Sequence, residues 1–256
     1  MTVQTSKSIF QLNQATFFYP YEEPVLKEIS FDIHEGERIC ILGANGCGKS
    51  TLLKIFAGLL FPQKGTFCAF SQEMTAQKLN EDSFSKAYHK RVGFIFQDSD
   101  VQLFCSTVEE EIAFGLLQQN ISHSEVQERI SDIAKMLEME HLLQKPPFKL
   151  SGGEKKKVAL AAVLVMNPDV LILDEPTNGL DPRTQMWLIG LLQSLSKVGK
   201  TIITSTHNLN LVSQISDRAI LFREEHTIAA DSSTCELIQN VELLRSVNLV
   251  DEYYHI

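Results

Sequence analysis

Apolar and polar positions divide the chain into segments of distinct character. Ile9 to Ile33 is rich in aromatic and β-branched residues and is interrupted at Tyr19-Pro20-Tyr21-Glu22, which predicts short strands joined by a turn. Arg38 to Leu42 (RICIL) reads as a short apolar strand running into glycine. Ser50 to Leu60 places Leu52, Leu53, Ile55, Phe56 and Leu59 at near-helical spacing and predicts a helix. Thr66 to Phe96 shows no clear period, and further strands around a polar excursion are expected there. Ser124 is placed to cap a helix on which Val126, Ile130, Ile133 and Leu137 recur at steps of four, three and four. Pro146-Pro147 closes that helix-rich region. Val170 to Leu173 (VLIL) suits a buried parallel strand. Trp187 to Leu195 reads as helix, Thr201 to Thr206 and Arg218 to Phe222 as strands, and Cys235 to Leu249 as an amphipathic stretch. Strands alternating with helices predict an α/β fold, a parallel sheet covered by helices on both faces. The β-rich start and helix-rich middle read as elaborations of that core.

Composition narrows the class. The 256 residues are 44% hydrophobic and 21% charged, an ordinary globular balance that excludes a disordered chain, a collagen-like repeat or a disulfide mini-protein. The longest unbroken apolar run, Val158 to Met166, has nine residues, against about twenty for a bilayer-crossing helix. The opening residues, MTVQTSKSIF, lack the apolar stretch and cleavage site of a signal peptide. Lys and Arg number 23 and Asp and Glu 32, a net charge of −9. Surplus acid is poorly suited to phosphate neutralisation, so no nucleic-acid partner is expected. Lys155-Lys156-Lys157, the densest basic cluster, reads as a solvated helix face. Cys40, Cys47, Cys68, Cys105 and Cys235 are odd in number with no CxxC pair, which favours reduced thiols over a disulfide framework or a zinc site.

Three short motifs carry chemistry. Gly43-Ala44-Asn45-Gly46-Cys47-Gly48-Lys49-Ser50, with Thr51 beside it, matches GxxxxGK[ST] between a strand and a helix. Glycines let successive backbone N–H groups wrap a phosphate, and the helix start adds its positive dipole end. Lys49 can then reach the β- and γ-phosphates, and the Ser50 hydroxyl can ligate Mg²⁺. Asp174-Glu175 ends the VLIL strand. Asp174 suits the Mg²⁺ ion and Glu175 suits a general base or water positioner, although alone the pair reads equally well as an acidic helix start. Leu150-Ser151-Gly152-Gly153-Glu154 precedes a long helix, where Ser151 can cap and exposed N–H groups can meet an anion. Alone, this too reads as a plain cap.

Together these motifs resemble those of the ATP-binding subunits of ABC transporters, and LSGGE is similar to their LSGGQ signature. The resemblance covers roughly residues 9 to 231 and extends to smaller motifs in the family's order. Tyr19 resembles the aromatic residue that stacks on adenine. Gln97, after Gly93-Phe94-Ile95-Phe96, resembles the Q-loop glutamine, which touches Mg²⁺ and links to the membrane partner. Gly179-Leu180-Asp181 resembles the D-loop, and His207 the switch histidine near the γ-phosphate. Gln97 to Gly115 (QDSDVQLFCSTVEEEIAFG) closely resembles the corresponding region of energy-coupling-factor and cobalt/nickel-type importers, and VLILDEPTNGLDP fits the same group.

The resemblance implies a P-loop NTPase, RecA-like parallel-sheet core with an antiparallel β subdomain and an inserted helical subdomain at about residues 98 to 165. It implies an ABC ATPase domain over residues 1–231 and a C-terminal helical extension over 232–256. It further implies ATP and Mg²⁺ as cofactors and a head-to-tail dimer, homomeric or with a related chain. In that dimer Ser151, Gly152, Gly153 and Glu154 cover the partner's ATP. Separate integral membrane subunits would import a metal ion or vitamin, with this chain peripheral on the cytoplasmic face. A soluble ABC-type ATPase in an assembly role, such as iron-sulfur cluster assembly, is the alternative; a P-loop kinase is opposed by LSGGE, the D-loop and His207. Three positions depart from the pattern. Cys47 stands where Ser or Gly is usual, Asn208 where Asp is common, and Arg223 to Asp231 where a glycine-bearing hairpin is usual. A thiol beside a helix start is expected to have a lowered pKa and to react, so that alkylation blocks nucleotide binding; a tolerated small-residue swap is the other reading of Cys47.

Overall fold

The computed structural model describes residues 7–119 and 121–251. The first six residues of MTVQTSKSIF and the last five of the 232–256 extension lie outside the described residues.

The aromatic and β-branched start forms β1 (Ser8–Phe18) and β2 (Pro24–His34), paired antiparallel across the expected turn. After β3 (Arg38–Leu42) and α1 (Lys49–Phe56), β4 (Lys64–Ala69) and β5 (Gln72–Glu73) complete a four-stranded antiparallel sheet in the order β2-β1-β4-β5. The short helices α2 (Ala76–Leu79) and α3 (Asp82–Arg91) follow, then β6 (Val92–Ile95). The helix-rich middle holds α4 (Val108–Leu117), α5 (His123–Met136) and α6 (Gly152–Leu164). The chain then runs through β7 (Val170–Leu173), α7 (Pro182–Lys197), β8 (Thr201–Thr206), α8 (Leu209–Ile215), β9 (Arg218–Phe222) and β10 (Ile228–Ser233). Helices α9 (Thr234–Gln239) and α10 (Val241–Ser246) end the described chain. The second sheet has the order β10-β9-β3-β8-β7-β6, parallel except for β10. This is the mixed α/β architecture of a P-loop NTPase.

Helix α1 lies between the two sheets. Leu52, Leu53, Ile55 and Phe56 have no exposed surface, and Phe56 sits in an aromatic cluster with Phe10, Phe31 and Phe67 at centroid distances of 5.2, 6.0 and 5.6 Å. The helix is shorter than its apolar spacing predicts. The chain turns back after Phe56, where Leu59 and Leu60 N–H close onto Lys54 O.

Other boundaries also shift, for local reasons. Thr66 to Phe96 contains strands, as expected, but also α2 and α3. Only Tyr88 of α3 is buried, so no apolar stripe marks that helix. Helix α5 is capped by Ser122, whose hydroxyl accepts from Glu125 N–H, and not by Ser124. Ser122 has the extended backbone a cap needs, and Ser124 already lies inside the helix. Helix α7 starts well before Trp187, because Asp181 caps it and Pro182 occupies its first position.

The lysine triplet is not a solvated face. Lys156 is only 3% exposed, and its ammonium donates to Phe96 O and Gln97 O. Burial pulls its pKa down to about 8. Lys155 pairs with Asp100, and Lys157 lies over the Trp187 ring at 4.7 Å. The unusual final hairpin is still a hairpin: β9 and β10 pair antiparallel, and His226 takes the left-handed turn position at φ +67°.

Among the described residues no helix is long and apolar enough to cross a membrane. β10 runs past the expected division at residue 231, and α9 and α10 then fold back onto the core. Leu237, Leu244 and Val247 are buried with Cys40, Leu42 and Leu221. Leu244→Ala should therefore cost about 2–5 kcal/mol in urea unfolding and keep a single cooperative transition. A separate early transition would show the C-terminal helices to be an independent appendage.

Candidate nucleotide site

The glycine loop joins the end of β3 to the start of α1, at the carboxyl edge of the parallel sheet, where open α/β sheets place their ligands. Gly48 has φ +109°, and a Cβ there would lie 2.4 Å from Val25 O, so only glycine fits. No side chain caps α1. Its first residues, Lys49, Ser50 and Thr51, line a cleft of about 450 Å³ together with Asn45, Gly46 and Gly48. Gln97, Glu175, Asn178 and His207 form the other walls. The Lys49 ammonium is 6% exposed and donates to Gly43 O and Ala44 O at 2.8 and 3.1 Å. It lies 3.5 Å from Glu175 Oε1.

The carboxylate pair is positioned by β8. Ser205, fully buried on β8, donates its hydroxyl to Asp174 Oδ1 at 2.6 Å and accepts from Glu175 N–H at 2.9 Å. Asp174 N–H donates to Ile95 O, which ties the end of β7 to β6. Glu175 has φ +42°, a left-handed backbone that costs a non-glycine residue about 1–3 kcal/mol. That turn brings its buried carboxylate into the cleft, where His207 Nδ1 lies 3.0 Å from Oε1. Tyr19 does not line the cleft; its hydroxyl lies 3.2 Å from Thr51 Oγ1 and its ring meets Phe17 edge-on.

The residues expected at the signature and D-loop do not line the cleft. They lie next to each other instead. Ser151 caps α6 in a reciprocal capping box: its N–H and hydroxyl both donate to Glu154 Oε2 at 2.8 Å, and its hydroxyl accepts from Glu154 N–H. These bonds lower the Glu154 pKa and keep the carboxylate charged. Thr184 packs on Gly153 and donates its hydroxyl to Asp181, which caps α7. Ser151 and Gly152 are exposed.

Two polar residues, one lining the cleft and one buried behind it, are not marked by the sequence motifs. Asn178 lines the cleft and donates its N–H to Glu175 O. Ser205 holds the Asp174 carboxylate and the Glu175 backbone. Its one sequence signal is the polar run Thr204-Ser205-Thr206 after Ile202-Ile203 in a fully buried strand.

The residues fit a magnesium nucleotide. An uncapped helix start and a buried ammonium complement phosphate, and the Ser50 hydroxyl, Gln97 amide and Asp174 carboxylate are the hard oxygen donors Mg²⁺ takes. Cys47 departs from expectation. It is buried, with its sulfur turned under the loop, 2.7 Å from where a Cβ at Gly43 would stand. Burial pushes its thiol pKa up and outweighs the opposing pull of Lys49. A limiting dose of alkylating agent on the folded protein should therefore label exposed Cys235 well before Cys47 and leave ATPase activity intact. Peptide mass spectrometry showing Cys47 labelled first would overturn this.

The model of the family described as "ABC transporter" matches residues 26–178. A putative ABC transporter ATP-binding protein of Methanosarcina acetivorans is 49% identical over 97% of this chain and 91% of its own length. The nickel import ATP-binding protein LarO of Lactiplantibacillus plantarum is 42% identical over 84% of this chain and 89% of its own. Among solved structures, CbiO1 of Clostridium perfringens, described as part of the ABC transporter complex CbiONQ, has a TM-score of 0.81. It is 35% identical and covers 94% of this chain and 95% of its own. The ATP-binding cassette MJ0796, solved as a post-hydrolysis dimer with ADP and Pi, has a TM-score of 0.80 and 29% identity, over 88% of this chain and 99% of its own. With the phosphate loop and paired carboxylates gathered in one cleft and matches of this extent, the chain belongs to the ABC transporter family as a cassette that binds and hydrolyses ATP with Mg²⁺.

Proposed function

We propose that this cassette is the ATP-hydrolysing subunit of an energy-coupling-factor-like importer, peripheral on the cytoplasmic face, that powers uptake of a metal ion or vitamin through separate integral membrane subunits. The nickel importer and CbiONQ relatives and the resemblance over Gln97 to Gly115 support this over a soluble assembly role. The same reading takes residues 1–231 as the ATPase domain, about 98 to 165 as its helical subdomain, and 232–256 as an extension.

One observation carries the mechanism: the cleft and the exposed start of α6 lie apart on the chain. The cleft holds a cation and a base and is partly open, and Ser151 and Gly152, exposed at the capped start of α6, take no part in lining it. A second cassette, another copy or a related chain, would bring its α6 over the open side of this cleft. MJ0796 is described as a dimeric cassette, which supports the pairing of two cassettes.

Lys49 would leave Gly43 O and Ala44 O for the β- and γ-phosphates, and the loop N–H groups would hold the β-phosphate. Tyr19 would stack on adenine. Ser50, Gln97 and Asp174 would hold Mg²⁺, which would supply charge neutralisation at the phosphates. Glu175, kept in place by its N–H bond to Ser205, would accept a proton from water as that water attacks the γ-phosphorus and the bond to the β–γ bridging oxygen breaks, releasing ADP and phosphate. His207 would position the water and the γ-phosphate oxygens. Asp181 would support the facing cassette beside Gly153.

Two substitutions test this. Glu175→Gln keeps the shape of the site and removes the base, so hydrolysis should fall by about 100-fold or more while ATP still binds and a dimer accumulates in size-exclusion chromatography. Unchanged turnover would refute the assigned role. Glu154→Gln keeps an acceptor for the Ser151 cap and removes a negative charge facing the second triphosphate. It should tighten ATP-dependent dimerisation several-fold, or about 1 kcal/mol. Weaker dimerisation in a correctly folded protein would count against α6 meeting the partner's nucleotide.

A further inference from the structure

The cleft chemistry uses neither Lys155 nor Lys156, yet both bind α6 to the loop that carries Gln97. Lys156 sits two residues beyond the signature, and its buried ammonium donates to the consecutive carbonyls of Phe96 and Gln97, each at 3.0 Å. Lys155 reaches the far side of the same loop and pairs with Asp100 Oδ1 at 2.5 Å. Between these ties the loop is closed on itself. Phe96 N–H donates to Gln102 Oε1, Asp100 N–H to Asp98 Oδ1, and Leu103 N–H to Ser99 O. The loop therefore has two fixed points on α6 and little internal freedom.

Stability alone is a weak reason for such an arrangement. A buried ammonium held by neutral carbonyls gives back much of its hydrogen-bond energy as desolvation. An ion pair whose carboxylate is 64% exposed contributes little. What the two lysines do set is direction. The Gln97 carbonyl, and with it the entry of Gln97 into the cleft, takes its position from the helix that Ser151 caps.

We infer that Lys155 and Lys156 are positioning residues, whose ties from the first turns of α6 hold the 96–102 loop so that the Gln97 side chain enters the cleft in its working place. The inference rests on the proposed role of Gln97 at the nucleotide.

The test uses the full chain with ATP and Mg²⁺, and reads melting temperature, kcat and KM. Lys156→Met should melt close to the parent and keep KM within about twofold, while kcat falls about tenfold or more through misplacement of Gln97. Lys155→Asp and Asp100→Lys should each lower kcat several-fold, and the combined reversal should restore it to within about twofold of the parent. A folded Lys156→Met with parental kcat, or a reversal pair without recovery, overturns the positioning role. Should Lys156→Met fail to fold, the reversal pair decides alone. Glu175→Gln run alongside separates the two levels. If it traps no ATP-bound dimer, the site assignment falls and this inference with it; if it traps one while the reversal shows no recovery, only the positioning role falls.

Discussion

The burial of α1 between the two sheets is the constraint on which the rest depends. A helix whose Leu52, Leu53, Ile55 and Phe56 are all sequestered cannot tilt or slide without opening the aromatic cluster around Phe10 and Phe67. Its amino end is therefore fixed, and so is the glycine loop that leads into it. The loop can afford glycines, which are flexible in isolation, because packing on both sides of α1 removes their freedom. Gly48 wedged under Val25 O shows how closely the antiparallel sheet presses on the loop. A phosphate site that must be rigid is thus built from the most permissive residues by holding its two ends.

The same logic orders the carboxylates. Asp174 and Glu175 are adjacent on the chain and both nearly buried, an expensive placement without partners. A hydroxyl on the neighbouring strand donates to the Asp174 carboxylate and accepts from the Glu175 N–H, while Lys49 and His207 face the Glu175 carboxylate. The strained backbone at Glu175 then separates their directions, with Asp174 held against β8 and Glu175 turned toward Lys49 and His207. Parallel pairing of β7 with β8 brings Ser205 beside Asp174, so the chemistry depends on strand register as much as on residue type.

Much of the site was legible along the chain because its motifs are local. The glycine loop, VLILDE and LSGGE each need only a strand end or a helix start to acquire meaning, and each lies at one. The elements that were harder to read have little apolar periodicity. Helix α3 buries a single side chain, and α7 opens with polar residues under an Asp-Pro cap. Ser205 looks like an ordinary polar residue in a strand until β7 is laid beside it. Lys156 looks like one of three surface lysines until α6 is packed against the 96–102 loop.

Cys47 marks the division most clearly. Residue type and position beside a helix start favour a reactive thiolate, a rule about local electrostatics. Burial decides the other way, because removing a thiolate from water costs more than the nearby ammonium and N–H groups return. The sequence by itself determined the alternation of strands and helices, the phosphate loop, the acidic pair and the signature, since all of these are encoded in short stretches. Only the tertiary structure decided which side chains meet across strands, which charges lose their water, and that the signature stands apart from its own chain's cleft. Those outcomes depend on packing between segments distant along the chain, and no local pattern contains them.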